Sequence, residues 1–146
     1  MKKIFLSALM IMCAILVASA KDTYSRDVKT LPVAAQTVLS SNFKSDVSVI
    51  KLDKDFGRVS EYEVILTDGT EVTFDRAGNW KEVETRAGSS VPSKLVPAAI
   101  SKYVSANQKG AKIVGIEKDR KGYEVTLSNG VEMKFNSAGQ FIKYDK

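Results

Sequence analysis

The chain has 146 residues, 22 of them Lys or Arg and 17 Asp or Glu, with no histidine and a single cysteine, Cys13. This inventory excludes an intrachain disulfide, a Cys/His zinc site and any catalytic triad that works through imidazole. Hydrophobic residues make up 44% of it, a globular share that can build a core without disulfide or metal staples.

Residues 1–20 read as a targeting element. MKK at 1–3 is a positive n-region, 4–17 is almost wholly apolar, and Ala18-Ser19-Ala20 has the small-x-small cleavage pattern, so a signal peptide cut after Ala20 is expected. The apolar run is short of the roughly twenty residues a bilayer span needs, and no second one follows. Cys13 lies inside this run after Met10-Ile11-Met12, which does not match the Leu-small-small sequence of lipoprotein signals. The expected mature protein is periplasmic or secreted, without a transmembrane segment, cysteine or cofactor. Losing Lys2 and Lys3 leaves 20 basic against 17 acidic residues, a net charge of +3. That mild excess does not suggest nucleic acid, and Lys118-Asp119-Arg120-Lys121, interrupted by an acid and followed by Gly122, reads as a solvated turn.

After the signal the chain divides into a first unit at 21–85, a linker at 86–92 (RAGSSVP) and a second unit at 93–146. Leu31, Ala34, Ala35, Val38, Leu39 and Phe43 recur with helical spacing, and so do Val96, Ala99, Ile100, Tyr103 and Val104. Thr30 and Ser93 are the expected N-caps, with Pro32 and Pro97 in the first turn. Beyond each helix the period falls to two, predicting strands at 47–54, 60–67, 70–75 and 79–84, then at 112–118, 122–128, 131–136 and 140–145.

An internal repeat ties the two units together. YEVILTDGTEVTFDRAGNW at 62–80 returns at an offset of 61 as YEVTLSNGVEMKFNSAGQF, keeping Tyr62, Glu63, Val64, Leu66, Gly69, Glu71, Phe74, Ala77 and Gly78. Between the helix proline and this segment the first copy carries extra residues, placed around Asp55-Phe56-Gly57-Arg58. A three-residue hairpin loop with Gly69 left-handed pairs Tyr62 with Phe74, Val64 with Val72 and Leu66 with Thr70, and likewise Tyr123/Phe135, Val125/Met133 and Leu127/Val131. A two-residue loop would mix core with solvent. The opposite face then carries Glu63, Ile65, Glu71 and Thr73, and Glu124, Thr126, Glu132 and Lys134. The next turn, treated in the same way, sends Trp80 and Phe141 inward and Lys81, Val83, Ile142 and Tyr144 outward.

The expected fold is α+β: a tandem repeat of a helix plus a four-stranded antiparallel sheet, with both helices packed on one face. A helix covers only one face of a sheet, so the other is the candidate binding surface. Its residues are Glu63, Ile65, Glu71, Thr73, Val83, Glu124, Thr126, Lys134, Ile142 and Tyr144. The paired glutamates invite comparison with a glycosidase, but an open sheet offers no loop to exclude water or raise a pKa, so no catalytic residue is assigned. Asp53-Lys54-Asp55-Phe56-Gly57 lacks the further ligands and closing glutamate of a calcium loop, so no metal ligand is assigned either.

Two Leu/Val-Pro helices, each followed by YEVILTDGTEVTFDRAGNWKEVE or YEVTLSNGVEMKFNSAGQFIKYD, resemble the PepSY-like, beta-lactamase-inhibitor-like proteins of bacterial periplasms over essentially the whole mature chain. The resemblance implies a non-catalytic module that binds an envelope or periplasmic protein, with inhibition or regulation of a secreted peptidase as the implied role. A small-ligand or envelope-polysaccharide binder is the alternative. A monomer or weak dimer is expected, with an unpaired edge strand available for pairing.

Overall fold

The computed structural model describes residues 22–86 and 88–145; the signal peptide expected at 1–20 lies outside the described residues. Nine strands form one antiparallel sheet in sequence order, β1 (Thr23–Ser25), β2 (Val47–Asp55), β3 (Arg58–Leu66), β4 (Glu71–Asp75), β5 (Trp80–Glu84), β6 (Ile113–Lys118), β7 (Gly122–Leu127), β8 (Glu132–Asn136) and β9 (Phe141–Asp145). Helix α1 (Val33–Asn42) precedes β2 and α2 (Ala98–Asn107) precedes β6. The four-stranded layers expected for each unit are therefore one continuous sheet. Its junction is the pairing of β5 with β6, Glu82 opposite Glu117, Val83 opposite Ile116 and Glu84 opposite Gly115. The segment joining β5 to α2 is tied down too: Thr85 donates to the carbonyl of Val114, Val91 donates to that of Ile113, and Val91 is buried.

One row across the sheet shows why it folds in this register. Ile50, Val64, Val72, Val83, Ile116, Val125 and Met133 stand opposite one another in turn, and all are buried. On each of these strands a slip by one residue in at least one direction would bring a charge into that row, and on β5 and β8 a slip in either direction would, which favours this register. The three-residue loop is present: Gly69 donates to the carbonyl of Leu66, Leu66 donates to that of Thr70, and Tyr62 stands opposite Phe74. Ala35, Leu39, Ile100 and Val104 of the helices complete the core above this row. Among the described residues no helix is long and apolar enough to cross a membrane.

The helix entries differ from expectation. Pro32 and Pro97 are themselves the N-caps, while Thr30 and Ser93 belong to short 3-10 turns, Val28–Thr30 and Ser93–Leu95. Each proline is extended, so its carbonyl can accept the first helical hydrogen bond, from Gln36 and Ser101 respectively, while its missing N–H costs nothing. Below each entry lies a turn glycine. A Cβ on Gly78 would come within 2.8 Å of the Pro32 Cβ and 3.0 Å of the Ala35 nitrogen, and one on Gly139 within 3.1 Å of the Ala99 Cβ. Both glycines also have positive φ, so the β4–β5 and β8–β9 turns fit under the helices only without a side chain. Asp75 and Asn136 hold those turns, each accepting two backbone N–H bonds on one side-chain oxygen.

Both of these hairpins contain a β-bulge that the alternating pattern does not announce. Phe74 stands opposite Trp80 but Thr73 opposite Glu82, leaving Lys81 as the extra residue; Phe135 faces Phe141 but Lys134 faces Lys143, leaving Ile142. The bulge reverses the alternation beyond it. Val83, expected to face outward, is fully buried under the helices. Tyr144, also expected outward, stands opposite Met133 on the helix side; its ring meets Phe141 at 5.0 Å and its hydroxyl accepts from Gln108.

Candidate functional site

The helices leave the other face of the sheet open, and two adjacent rows define it. The first runs Lys51, Glu63, Thr73, Glu82, Glu117, Glu124, Lys134, Lys143 from β2 to β9. The second runs Val49, Ile65, Glu71, Glu84, Gly115, Thr126, Glu132, Asp145. Glu63, Ile65, Glu71, Thr73, Glu124, Thr126 and Lys134 thus lie on the face to which their alternation assigned them. Exposed Ile142 borders the same side at the β9 edge, in a hollow it shares with Glu124 and Lys134. Val83 and Tyr144 are not part of this face.

Glu82, Glu84 and Glu117 were missing from the expected set, yet they stand at its centre. The signal for the first two lies in Trp80-Lys81-Glu82-Val83-Glu84. Trp80 and Val83 are three residues apart, and both can face the core only if a bulge intervenes, which turns both glutamates outward. Glu117 is legible only once β5 and β6 are known to pair.

Like charges directly opposite on neighbouring strands oppose folding, and here Glu82 faces Glu117, Glu117 faces Glu124 and Glu84 faces Glu71. Burial, then the carboxylates of Glu117, Glu84, Glu71 and Glu61, push Glu82 up to about 7. Burial and then Glu71 push Glu84 up to about 7. Burial also raises Glu63 against the opposing pull of Lys51, raises Glu71 with help from Glu63, and raises Glu124 against Lys134. Glu63, Glu71, Thr73, Glu82 and Glu84 enclose a hollow of about 20 Å³, room for one water-sized guest.

Cations bracket this acidic centre. Lys51 sits 2.9 Å from Asp53 and 3.4 Å from Glu63; burial works against its charge, but the Asp53 hydrogen bond and the Glu63 and Asp53 carboxylates hold its pKa above the ordinary lysine value. On the far side Lys134 lies 3.1 Å from Asp145 and 3.9 Å from Glu124. Glu124, Glu132 and Asp145 bring one carboxylate oxygen each within 4.8 Å of one another, but Lys134 already answers two of these charges. At the centre Lys81, the extra residue of the β5 bulge, is paired with Glu61, and Glu82, Glu84 and Glu117 form no ion pair among the described residues.

A family described as "Putative beta-lactamase-inhibitor-like, PepSY-like" matches residues 60–143, more than half of the chain. The chain belongs to this PepSY-like family. Similar solved structures agree. A "putative periplasmic protein of unknown function" from Bacteroides vulgatus is 44% identical with a TM-score of 0.80, covering 86% of this chain and 99% of its own. A "putative calcium-regulated periplasmic protein" from Bacteroides thetaiotaomicron is 42% identical with a TM-score of 0.79, covering 86% and 97%. A second "putative periplasmic protein" of B. vulgatus is 38% identical with a TM-score of 0.78, covering 88% and 100%. No curated protein matches the chain significantly. The PepSY-like match begins at Ser60 and so includes both outward rows from β3 to β8, while the β2–β3 hairpin tip lies before it.

Proposed function

We propose that this PepSY-like chain is an exported, non-catalytic module of the periplasm that binds a partner protein through its open sheet face, and that the partner is an envelope or secreted enzyme such as a peptidase, which it inhibits or regulates. The observation that carries the reading is the row Glu63–Thr73–Glu82–Glu117–Glu124, a carboxylate surface crossing the β5–β6 junction with no helix over it. Folding alone gives no reason to line up carboxylates that repel one another and resist ionisation. A basic partner surface would relieve both costs, with lysines or arginines taking the place of the missing counter-charges. Catalysis is disfavoured because the central hollow admits nothing larger than a water or an ion. A glycan-binding reading loses its aromatic platform with Tyr144 on the helix side.

The test is affinity capture from a periplasmic extract with the mature chain and with a Glu82→Gln/Glu84→Gln/Glu117→Gln variant. The expected result is one enriched basic protein, released by high salt and absent from the variant. Equal capture by both would remove the face from the docking surface.

One observation favours a second reading, that a divalent cation controls the same face. The B. thetaiotaomicron relative is described as calcium-regulated, and Ca²⁺ takes six to eight oxygens at about 2.3–2.6 Å. Glu63, Glu71, Thr73, Glu82 and Glu84 line a hollow of ion size, and their carboxylates would have to draw together around the ion, since among the described residues the acidic set already within 4.8 Å is Glu124, Glu132 and Asp145. A calcium-dependent rise in Tm that is lost in Glu82→Gln/Glu84→Gln supports this reading; no rise in the unmodified protein rejects it.

A further inference from the structure

The β2–β3 hairpin ends in a two-residue loop, Phe56-Gly57, between the paired residues Asp55 and Arg58. Both loop residues have positive φ, 51° and 78°, as a type I′ turn requires. Asparagine or glycine suits the first of these positions; a bulky aromatic there is a genuine backbone outlier. Phe56 is moreover wholly exposed, at 107% relative accessibility, and contributes nothing to the core. Local geometry and burial both argue against this residue, and a strained, functionless residue is what substitution removes first.

The rest of the tip is equally specific. Strands β2 and β3 have nine residues each, whereas their counterparts β6 and β7 have six. The counterpart tip, Asp119-Arg120-Lys121, is wholly polar, so the scaffold does not require an aromatic there. Around Phe56 stand exposed Lys54, Arg58 and Arg76, which take part in no ion pair among the described residues. Asp55, Phe56, Arg58, Val59, Ser60 and Arg76 line a shallow hollow of about 510 Å³.

We infer that this tip is a second docking element, separate from the acidic face: Phe56 enters an apolar pocket on a partner protein while a carboxylate on the rim of that pocket settles between Arg58 and Arg76. A protein fits better than a bilayer on two counts. A single phenylalanine beside an aspartate is a weak membrane anchor, and the hollow beside the ring gives a partner side chain a place to go. The turn fixes the direction in which the Cα–Cβ bond leaves the backbone, so only side-chain rotamer freedom is lost on binding. The inference does not depend on the carboxylate rows, and its variants leave them intact.

The experiment is site-specific photocrosslinking of the full exported chain in living cells, with p-benzoylphenylalanine in place of Phe56 and, as control, in place of Arg120. The expected result is one protein adduct, formed only from position 56 and lost in the Arg58→Glu/Arg76→Glu background, whose crosslinked peptide carries apolar and acidic residues. The captured protein, once purified, should bind Phe56→Asn about thirtyfold more weakly than the unmodified chain, as expected when a hot-spot aromatic is removed. Phe56→Asn should at the same time raise Tm by roughly 2–4 °C, because the turn loses its strain. Lipid adducts would assign the tip to the membrane, and adducts with a second copy of the chain would make it a self-association element. Either result overturns the inference, as would no adduct, capture indifferent to the arginines, or a lowered Tm showing that the ring serves the fold.

Discussion

On β2 the outward residue opposite Glu63 is Lys51, whereas on β6, the first strand after the second helix, the residue opposite Glu124 is Glu117. On β4 the residue opposite Glu63 is Thr73; at the matching place on β8, opposite Glu124, stands Lys134. The two halves therefore carry their lysines on opposite flanks, and between them Glu82, Glu84 and Glu117 of the junction strands form no ion pair among the described residues, Lys81 of β5 being taken by Glu61 and Lys118 of β6 lying over the Trp80 ring. Across the same strands the inward residues barely change in character, with Ile50 and Ile116, Val64 and Val125, and Val72 and Met133 at matching places. The inward face is constrained by packing density and admits only apolar swaps of similar volume. The outward face is under no such packing constraint, so its side chains are free to differ from half to half.

The most forceful way to break this comparison is to place a charge on each face. Val83→Asp buries a carboxylate in the central apolar row and should cost about 4 kcal/mol or more, enough to unfold a domain of this size. Ile142→Asp, on the exposed bulge of β9, should stay within about 0.5 kcal/mol. Urea denaturation of the pair checks this, and similar midpoints would mean that the faces are misassigned.

The turn glycines come next. Gly78→Ala combines a positive φ with a clash against proline and backbone atoms, which cannot move away, and should cost roughly 2–3 kcal/mol. Gly139→Ala meets the Ala99 methyl at 3.1 Å and should cost less, roughly 1–2 kcal/mol. Thermal melts of the two variants would sharpen the comparison by showing which helix is seated more tightly on its turn.

Both helices, strands β2 to β9 and the pairing of Tyr62 with Phe74 could be read from the sequence, because periods of 3.6 and 2 and a glycine in the loop are local signals. Strand β1 could not, since Thr23–Ser25 is too short to show a period. The bulges at Lys81 and Ile142 were hidden because one extra residue looks like ordinary alternation until Trp80 and Val83, or Phe141 and Tyr144, are required to share a face. The β5–β6 pairing was hidden for a different reason: it brings together residues more than thirty positions apart, through no shared motif. With it went the acidic centre, whose glutamates looked like separate solvated charges. The strain at Phe56 was also invisible, since Asp-Phe-Gly-Arg does not reveal which residue takes the left-handed conformation.

The next effect is a pH dependence with a definite sign. Glu82 and Glu84 are raised from 4.5 to about 7 in the folded chain, so between those values the folded state holds more protons than the unfolded one. Stability therefore falls as pH rises from about 4.5 to about 7 and levels off above that. Both side chains are partly open to water, so the loss is on the order of 1 kcal/mol apiece. Urea midpoints measured from pH 5 to pH 8 should show the decline, and Glu82→Gln/Glu84→Gln should flatten it. A decline that survives in the variant would put the titrating groups outside the junction.

The smallest effect separates the two flanking lysines. Lys51 makes contacts with Asp53 and Glu63 and approaches Asp22 at 4.0 Å, with only 23% of its side chain accessible. Lys51→Ala removes the cation and leaves Glu63, already raised by burial, with no counter-charge, so the loss should be about 1 kcal/mol after solvent screening. Lys134 also holds two carboxylates, but its side chain is more accessible, at 33%, so water replaces it more readily. Lys134→Ala should leave the urea midpoint unchanged at moderate salt. If it instead costs as much as Lys51→Ala, the ion pairs weigh equally on both flanks and the asymmetry between the halves is confined to the junction glutamates.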